Sequence, residues 1–265
     1  MKFNILIILS ALFMGLQTTS AQTLSADEIV KRINSRDDGN SVSRTLTMEL
    51  TDKRGKKRIR VTQAFRKYYG SERRTVIFYT SPKNVKDTAF LLFDYKELDR
   101  DDDQWLYLPA MRKVRRISAS DRGDYFLGTD LSYEDIKLES KVSAIDYNYR
   151  IKGEDNIDGH HCILMEAIPV NKKTVKELGY SRTELCVDDE IWISRRTQVW
   201  GPRGKNLKTI HARNIEKIQG IWSIGKFDVE NHKTGHHTSF EFSNIEYKKG
   251  VDDRIFTQDA IRRGL

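Results

Sequence analysis

The sequence has 265 residues, with 46 Lys and Arg against 38 Asp and Glu and only two cysteines, Cys162 and Cys186. A formal net charge of +8 suits anionic headgroups or acidic partners, but acids are interspersed throughout, so much of that charge reads as an ordinary solvated surface. Two cysteines exclude a zinc framework and a CxxC redox pair; in an oxidising compartment Cys162 and Cys186 either bond across a hairpin or stay as separate buried thiols.

The N-terminus has a three-part layout. Met1 to Asn4 carries one positive charge, Ile5 to Leu16 is uncharged and mostly apolar, and Thr18-Thr19-Ser20-Ala21-Gln22 is small and polar. This predicts a secretory signal cut after Ala21. The apolar run is shorter than the roughly 20 residues of a bilayer-spanning helix, and it lacks the polar breaks of an amphipathic core helix. No cysteine follows the cut, so no lipid anchor is expected. Residues 22–265 are then one exported β domain in the periplasm, a location that argues against nucleic acid as partner.

Ser25-Ala26-Asp27-Glu28 forms a capping box, and Ile29, Val30 and Ile33 follow at helical spacing, predicting a helix over 26–35. The period then changes to two. Leu46, Met48 and Leu50 alternate with Thr45, Thr47, Glu49 and Thr51; Lys53-Arg54-Gly55-Lys56 makes a turn; Ile59, Val61 and Phe65 resume the alternation on a returning strand. Further strands are predicted over 74–80, 88–93, 104–109 after an acidic loop at 99–103, and 114–117. Residues 120–138 give mixed signals, though Ser132-Tyr133-Glu134-Asp135 can open a short helix. Strand-like runs return over 147–151, 161–168, 182–187, 191–195, 198–200, 206–218, 222–230 and 238–247, and Thr257 caps a short C-terminal helix. Sequential strands joined by tight turns make antiparallel sheet, and the absence of regular βαβ alternation excludes a doubly wound fold. The class is mainly β (α+β), and so many strands curl into a barrel, a half-barrel or a sandwich.

Catalytic motifs are missing. The chain has no G-x-S-x-G elbow, no P-loop, no H-E-x-x-H and no dinucleotide glycine pattern. His232, His236 and His237 flank one turn and His160-His161 adjoins another; both read better as polar hairpin tips than as metal sites. Asp99, Asp101, Asp102 and Asp103 lack the Gly and closing Glu of a calcium loop. No metal or cofactor is expected, and the chain reads as a binding protein rather than an enzyme.

One combination stands out. Trp105 and Tyr107 share a strand face, and Arg112, Lys113, Arg115 and Arg116 follow them. Phe65, Phe78, Phe93, Phe126, Trp192, Trp200, Trp222, Phe227, Phe240 and Phe242 recur along the strands. Aromatics on a curved sheet can line an apolar cavity, and a basic cluster beside them suits headgroups. The pattern alone favours a sheet packed on its own core with a solvated charged rim.

Three blocks add a family. Asp103 to Ile117 (DQWLYLPAMRKVRRI), Phe126 to Asp135 (FLGTDLSYED) and Phe78 to Leu92 resemble outer-membrane lipoprotein-sorting-like proteins, relatives of the Lol-type periplasmic lipoprotein carriers. The resemblance implies a half-open antiparallel β-barrel whose mouth is covered by helices and whose apolar cavity holds lipid or the acyl chains of lipoproteins. Trp105, Tyr107, Phe65, Phe78, Phe126 and Trp222 are the candidate lipid-binding residues; Arg112, Lys113, Arg115 and Arg116 are the candidate membrane or headgroup rim. An inner-membrane exporter, an outer-membrane acceptor and transient membrane contact are the implied partners. The alternatives are a non-catalytic accessory subunit of a proton-driven exporter and a hydrolase with an unrecognised site.

Overall fold

Ser25 does cap the first helix, α1 (Ala26–Ser35): its hydroxyl accepts from the Glu28 amide, and the Glu28 carboxylate accepts from the Ser25 amide at 2.8 Å. The structure, a computed structural model, describes residues 24–95 and 100–265. The export signal and its cut after Ala21 lie outside the described residues, as does Asp99 of the acidic loop.

Thirteen strands follow α1 among the described residues: β1 (Ser41–Thr51), β2 (Lys57–Tyr69), β3 (Glu72–Ser81), β4 (Ala89–Asp94), β5 (Asp103–Leu108), β6 (Lys113–Ile117), β7 (Tyr147–Ile157), β8 (His160–Pro169), β9 (Arg182–Asp188), β10 (Ile193–Trp200), β11 (Asn206–Ile218), β12 (Ile221–Asn231) and β13 (His236–Glu246). They form one antiparallel sheet in the order β6-β5-β4-β3-β2-β1-β13-β12-β11-β10-β9-β8-β7. Two meanders are joined at their inner ends, where Met48 of β1 lies opposite Phe240 of β13 and Leu46 opposite Phe242. β6 and β7 are the free edges, so the sheet curls without closing, and the chain between them must cross from one edge to the other. That crossing carries α2 (Tyr133–Leu138) over one face, here called the inner face.

The inner face buries the main core, with Leu46, Met48, Ile77, Phe90 and Phe240 from the sheet packed against Phe126, Leu131 and Tyr133 of the crossing segment. At the β7–β9 end the same face receives α1, whose Ile29, Val30 and Ile33 meet Met165, Ala167, Leu185 and Val187. The outer face of β3–β6 is covered by the C-terminal helix α4 (Gln258–Arg263), capped by Thr257, together with Phe256. Cys162 of β8 and Cys186 of β9 are disulfide-bonded, with Cα atoms 5.3 Å apart.

Two elements differ from expectation. The runs at 191–195 and 198–200 are one strand, β10, with an irregularity between Ser194 and Arg196. A helix over 172–178 was not foreseen. This α3 (Lys172–Leu178) is capped by Asn171 and ends on Gly179 at φ 71, a left-handed position that glycine fills without strain. Both end signals are in the sequence, but the turns between them carry only Val175 and Leu178 as apolar residues, too few to show a period.

Candidate functional site

A cavity of about 140 Å³ lies between the inner face and the helical layer. Its sheet wall comes from alternate residues of strands on both sides of the β1–β13 junction, among them Leu46, Ile77, Leu185, Ile193, Phe227 and Phe240. On β12 a strict period of two would send Ile224 and Phe227 to opposite faces. The register itself is unbroken, with Arg213 opposite Lys226 and Ile215 opposite Ile224, but between those pairs Asn214 turns to φ 53 across from Gly225. A Cβ on Gly225 would stand 2.8 Å from the Asn214 carbonyl oxygen, so only glycine fits the irregularity that lets both apolar residues line the cavity.

The roof is Ile33 of α1, Ile136 and Leu138 of α2, and the segment 139–143. That segment packs Val142 against the α1 core and is otherwise held by polar ties. Asn34 of α1 donates from Nδ2 to the Val142 carbonyl at 2.9 Å and accepts from the Val142 amide at 3.0 Å. Arg36 donates to the Ser140 hydroxyl at 2.7 Å, and Lys141 donates to the Arg36 carbonyl at 2.7 Å. From the sheet, Arg44 makes a two-pronged pair with Glu139 at 2.8 and 2.7 Å and lies 4.2 Å over the Phe242 ring. Burial pushes the Glu139 carboxyl up, but Arg44 outweighs it and brings the group down to about 2. Glu139 itself sits at φ 50, ψ −94, a conformation a non-glycine residue adopts only where its surroundings impose it. The roof is therefore a fastened, locally strained segment over an apolar space.

The candidate residues from the sequence are not gathered at this cavity. Trp105, Tyr107, Phe65 and Phe78 lie on the outer face, in the cluster under α4 with Val76, Leu91 and Phe256. Trp105 packs edge-on to Phe93, with ring centres 5.1 Å apart, and Phe65 edge-on to Phe78 at 6.4 Å. Phe65 alone of these four also borders the cavity, where β2 passes it. Placing Trp105 and Tyr107 in the cavity wall is thus corrected: they share a face as their spacing requires, but it is the face packed against the C-terminal helix. Phe126 is on the inner side and fully buried, wedged 5.1 Å from the Phe90 ring rather than lining open space. Trp222 packs at the margin of the inner core, and its carbonyl accepts from Arg36 at 3.0 Å.

Arg112, Lys113, Arg115 and Arg116 stand exposed along the β5–β6 hairpin at the sheet edge and line neither the cavity nor its roof. They are split between faces, since Arg115 pairs across from inner Leu106 and Arg116 from outer Trp105. Arg116 meets Asp103 at 2.5 Å. Met111 at the hairpin tip is 60% exposed, an apolar side chain amid these cations. Among the described residues no group of three His, Cys, Asp or Glu is placed to hold a metal, and no helix is long and apolar enough to cross a membrane.

Known proteins resemble the chain along its length. The model of a family described as an uncharacterized-protein-like group matches residues 71–263. A DUF1329 family protein from Desulfovibrio piger is 30% identical, with a TM-score of 0.80, over 88% of this chain and 96% of its own. A putative outer membrane lipoprotein-sorting protein domain from Vibrio parahaemolyticus is 25% identical, with a TM-score of 0.80, over 89% and 97%. A LolA superfamily protein from Nitrosomonas europaea is 19% identical, with a TM-score of 0.67, over 89% and 99%, a likeness of fold. No curated protein matches the chain. With an inner-face cavity under a fastened roof and an identity of 30% across nearly the whole of both chains, the protein belongs to this family of DUF1329 and outer-membrane lipoprotein-sorting-like proteins.

Proposed function

We propose that the protein is a periplasmic carrier that takes acyl chains of lipids or lipoproteins into the inner-face cavity and moves them between envelope membranes. The observation that carries this reading is the apolar cavity closed by a roof tied with hydrogen bonds and one ion pair. The lipoprotein-sorting name of the Vibrio relative supports it. Transfer between membranes needs no catalytic residue. Burying an acyl chain gains about 0.8 kcal/mol per CH₂, so a cavity that nearly matches the bilayer can accept and release a chain almost isoenergetically. The exposed cations of the β5–β6 hairpin, with Met111 at its tip, suit a brief encounter with an anionic surface.

Size makes the reading specific. An engineered apolar cavity of about 150 Å³ admits benzene, and the space here is about 140 Å³. A long acyl chain has more than twice benzene's carbons, so uptake requires the roof to lift. Native mass spectrometry of protein purified from the periplasm tests the proposal: co-purifying lipid, or stoichiometric uptake of a fluorescent acyl probe, is expected. A chain that stays empty and takes up no probe would sink it and leave the accessory-subunit alternative.

A further inference from the structure

Behind the roof segment lies a second, polar space. It is a groove of about 870 Å³ that shares Leu138, Lys141, Val142 and Ser143 with the cavity wall. The roof therefore divides an apolar compartment from a polar one, and its two sides differ in charge as well as polarity.

At the α1 end of the groove four cations crowd a single buried carboxylate. Asp38 receives Arg66 at 2.5 Å and Lys141 at 3.5 Å, and Arg36 and Arg73 stand close enough to act on its charge. Arg73 has a second acid, Asp94, at 2.6 Å. Arg36 has no carboxylate within ion-pair distance among the described residues; its hydrogens go to Ser140 and to the carbonyls of Asp37 and Trp222. Counting the more exposed Asp37, and Glu139 with its partner Arg44 because the Glu139 charge also reaches Arg36 and Arg73, five cations face four carboxylates. The Nε hydrogens of Arg36, Arg66 and Arg73 are out of water with no acceptor among the described residues. Burying cations without full compensation is costly. Lys141 registers the strain: burial, only partly offset by Asp38 and reinforced by Arg36 and Arg66, pushes its ammonium down to about 8. The far end of the groove is the reverse, with Arg122 outnumbered by Asp146, Glu134 and Glu177.

We infer that the α1 end of the groove, around Arg36, Arg73 and Lys141, is a binding site for a phosphate ester, and that the preferred cargo is an acyl amphiphile with its phosphate there and its chains in the cavity. This rests on the carrier reading and adds the headgroup class to it. An anionic oxygen beside Arg36 and Lys141 supplies the missing negative charge, and guanidinium and ammonium groups are the usual donors to phosphate. The contiguity of the two compartments at Leu138 to Ser143 makes one molecule able to occupy both.

The test uses the mature chain and displacement of a fluorescent diacylglycerol by phosphatidic acid or by diacylglycerol of identical acyl chains. Phosphatidic acid is expected to win by about tenfold, the effect of one charge-assisted hydrogen bond. Arg36→Gln and Lys141→Gln are each expected to shrink that ratio and the double variant to abolish it. Reading the ratio cancels any loosening of the roof, which affects both lipids alike. Equal displacement by the two lipids in the wild-type protein overturns the headgroup site while leaving an acyl carrier, and this holds even if the variants fail to fold. Displacement by neither overturns the carrier reading and the site with it. Glycerol phosphate alone, titrated by calorimetry, should bind far more weakly than phosphatidic acid; equal binding would make this a site for free phosphate and overturn the lipid assignment.

Discussion

Glu139 shows how much the roof depends on single side chains. Its ordinary value of 4.5 falls to about 2 in the fold. A carboxyl depressed in this way contributes stability above its unfolded value and loses it as pH drops toward the folded one. The melting temperature should therefore fall between about pH 4.5 and 2, and Glu139→Gln should flatten part of that fall. At neutral pH the same variant leaves Arg44 without its partner. It should cost about 2–3 kcal/mol, less than the ~3–5 of a fully buried pair because both side chains keep some solvent contact. Thermal melts of both proteins across pH measure the two effects; an unchanged acid limb would mean that Glu139 is not the titrating latch. None of this was legible in the sequence. Arg44 and Glu139 are 95 positions apart, and a pair at that distance leaves no trace in local periodicity. Asp38 likewise carries no local signal that four cations converge on its carboxylate.

Elements were far more legible than contacts. The capping box at Ser25, the hairpin at Lys53 to Lys56 and the run of strands followed from short-range chemistry, and the order within each meander follows because its consecutive strands are joined in turn, whereas the β1–β13 pairing that joins the two meanders left no local signal. The exception is the 118–146 crossing, whose mixed signals reflect a segment fitted to the sheet rather than to itself. What period two could not supply was which face is which. Trp105 and Tyr107 were placed correctly relative to each other and incorrectly relative to the cavity, because alternation fixes relative sides and only α4, arriving from the C-terminus, makes the outer face a core. Two expectations follow for these elements. Phe256→Ala beneath α4, where the ring is fully buried, should lower stability by about 3–5 kcal/mol, and Trp105→Ala, where burial is incomplete, by about 2–4, while the folded variants bind an acyl probe normally. Chemical denaturation paired with probe titration separates these; loss of binding in the folded Trp105 variant would restore it to the site. For the β5–β6 hairpin, Arg115→Glu with Arg116→Glu should weaken binding to anionic vesicles at low salt and reduce its salt dependence. Vesicle flotation at two ionic strengths checks it, and identical flotation would mean that another surface meets the membrane.

At the scale of the molecule, an open sheet and a tied roof work together. A closed barrel would fix its interior volume, whereas a sheet with free edges at β6 and β7 leaves the inner layer to decide how much space is enclosed. In this structure that layer is down and the space is about 140 Å³, so binding a long chain must include an opening step. The fastening nearest α1 is Asn34, whose side chain makes both hydrogen bonds to Val142 and touches no charge. Replacing it by Ala removes two bonds of about 0.5–1.5 kcal/mol each from the closed state only. Opening should then become roughly tenfold more frequent, while the sheet, whose ladder is untouched, keeps its stability. Stopped-flow uptake of a fluorescent acyl probe should speed up by about that factor in Asn34→Ala. Amide exchange should quicken at 138–143 and at the end of α1, and stay slow in β1 and β13. Faster exchange in that segment without faster uptake would separate the roof from the route of entry and direct attention to the free edges of the sheet instead.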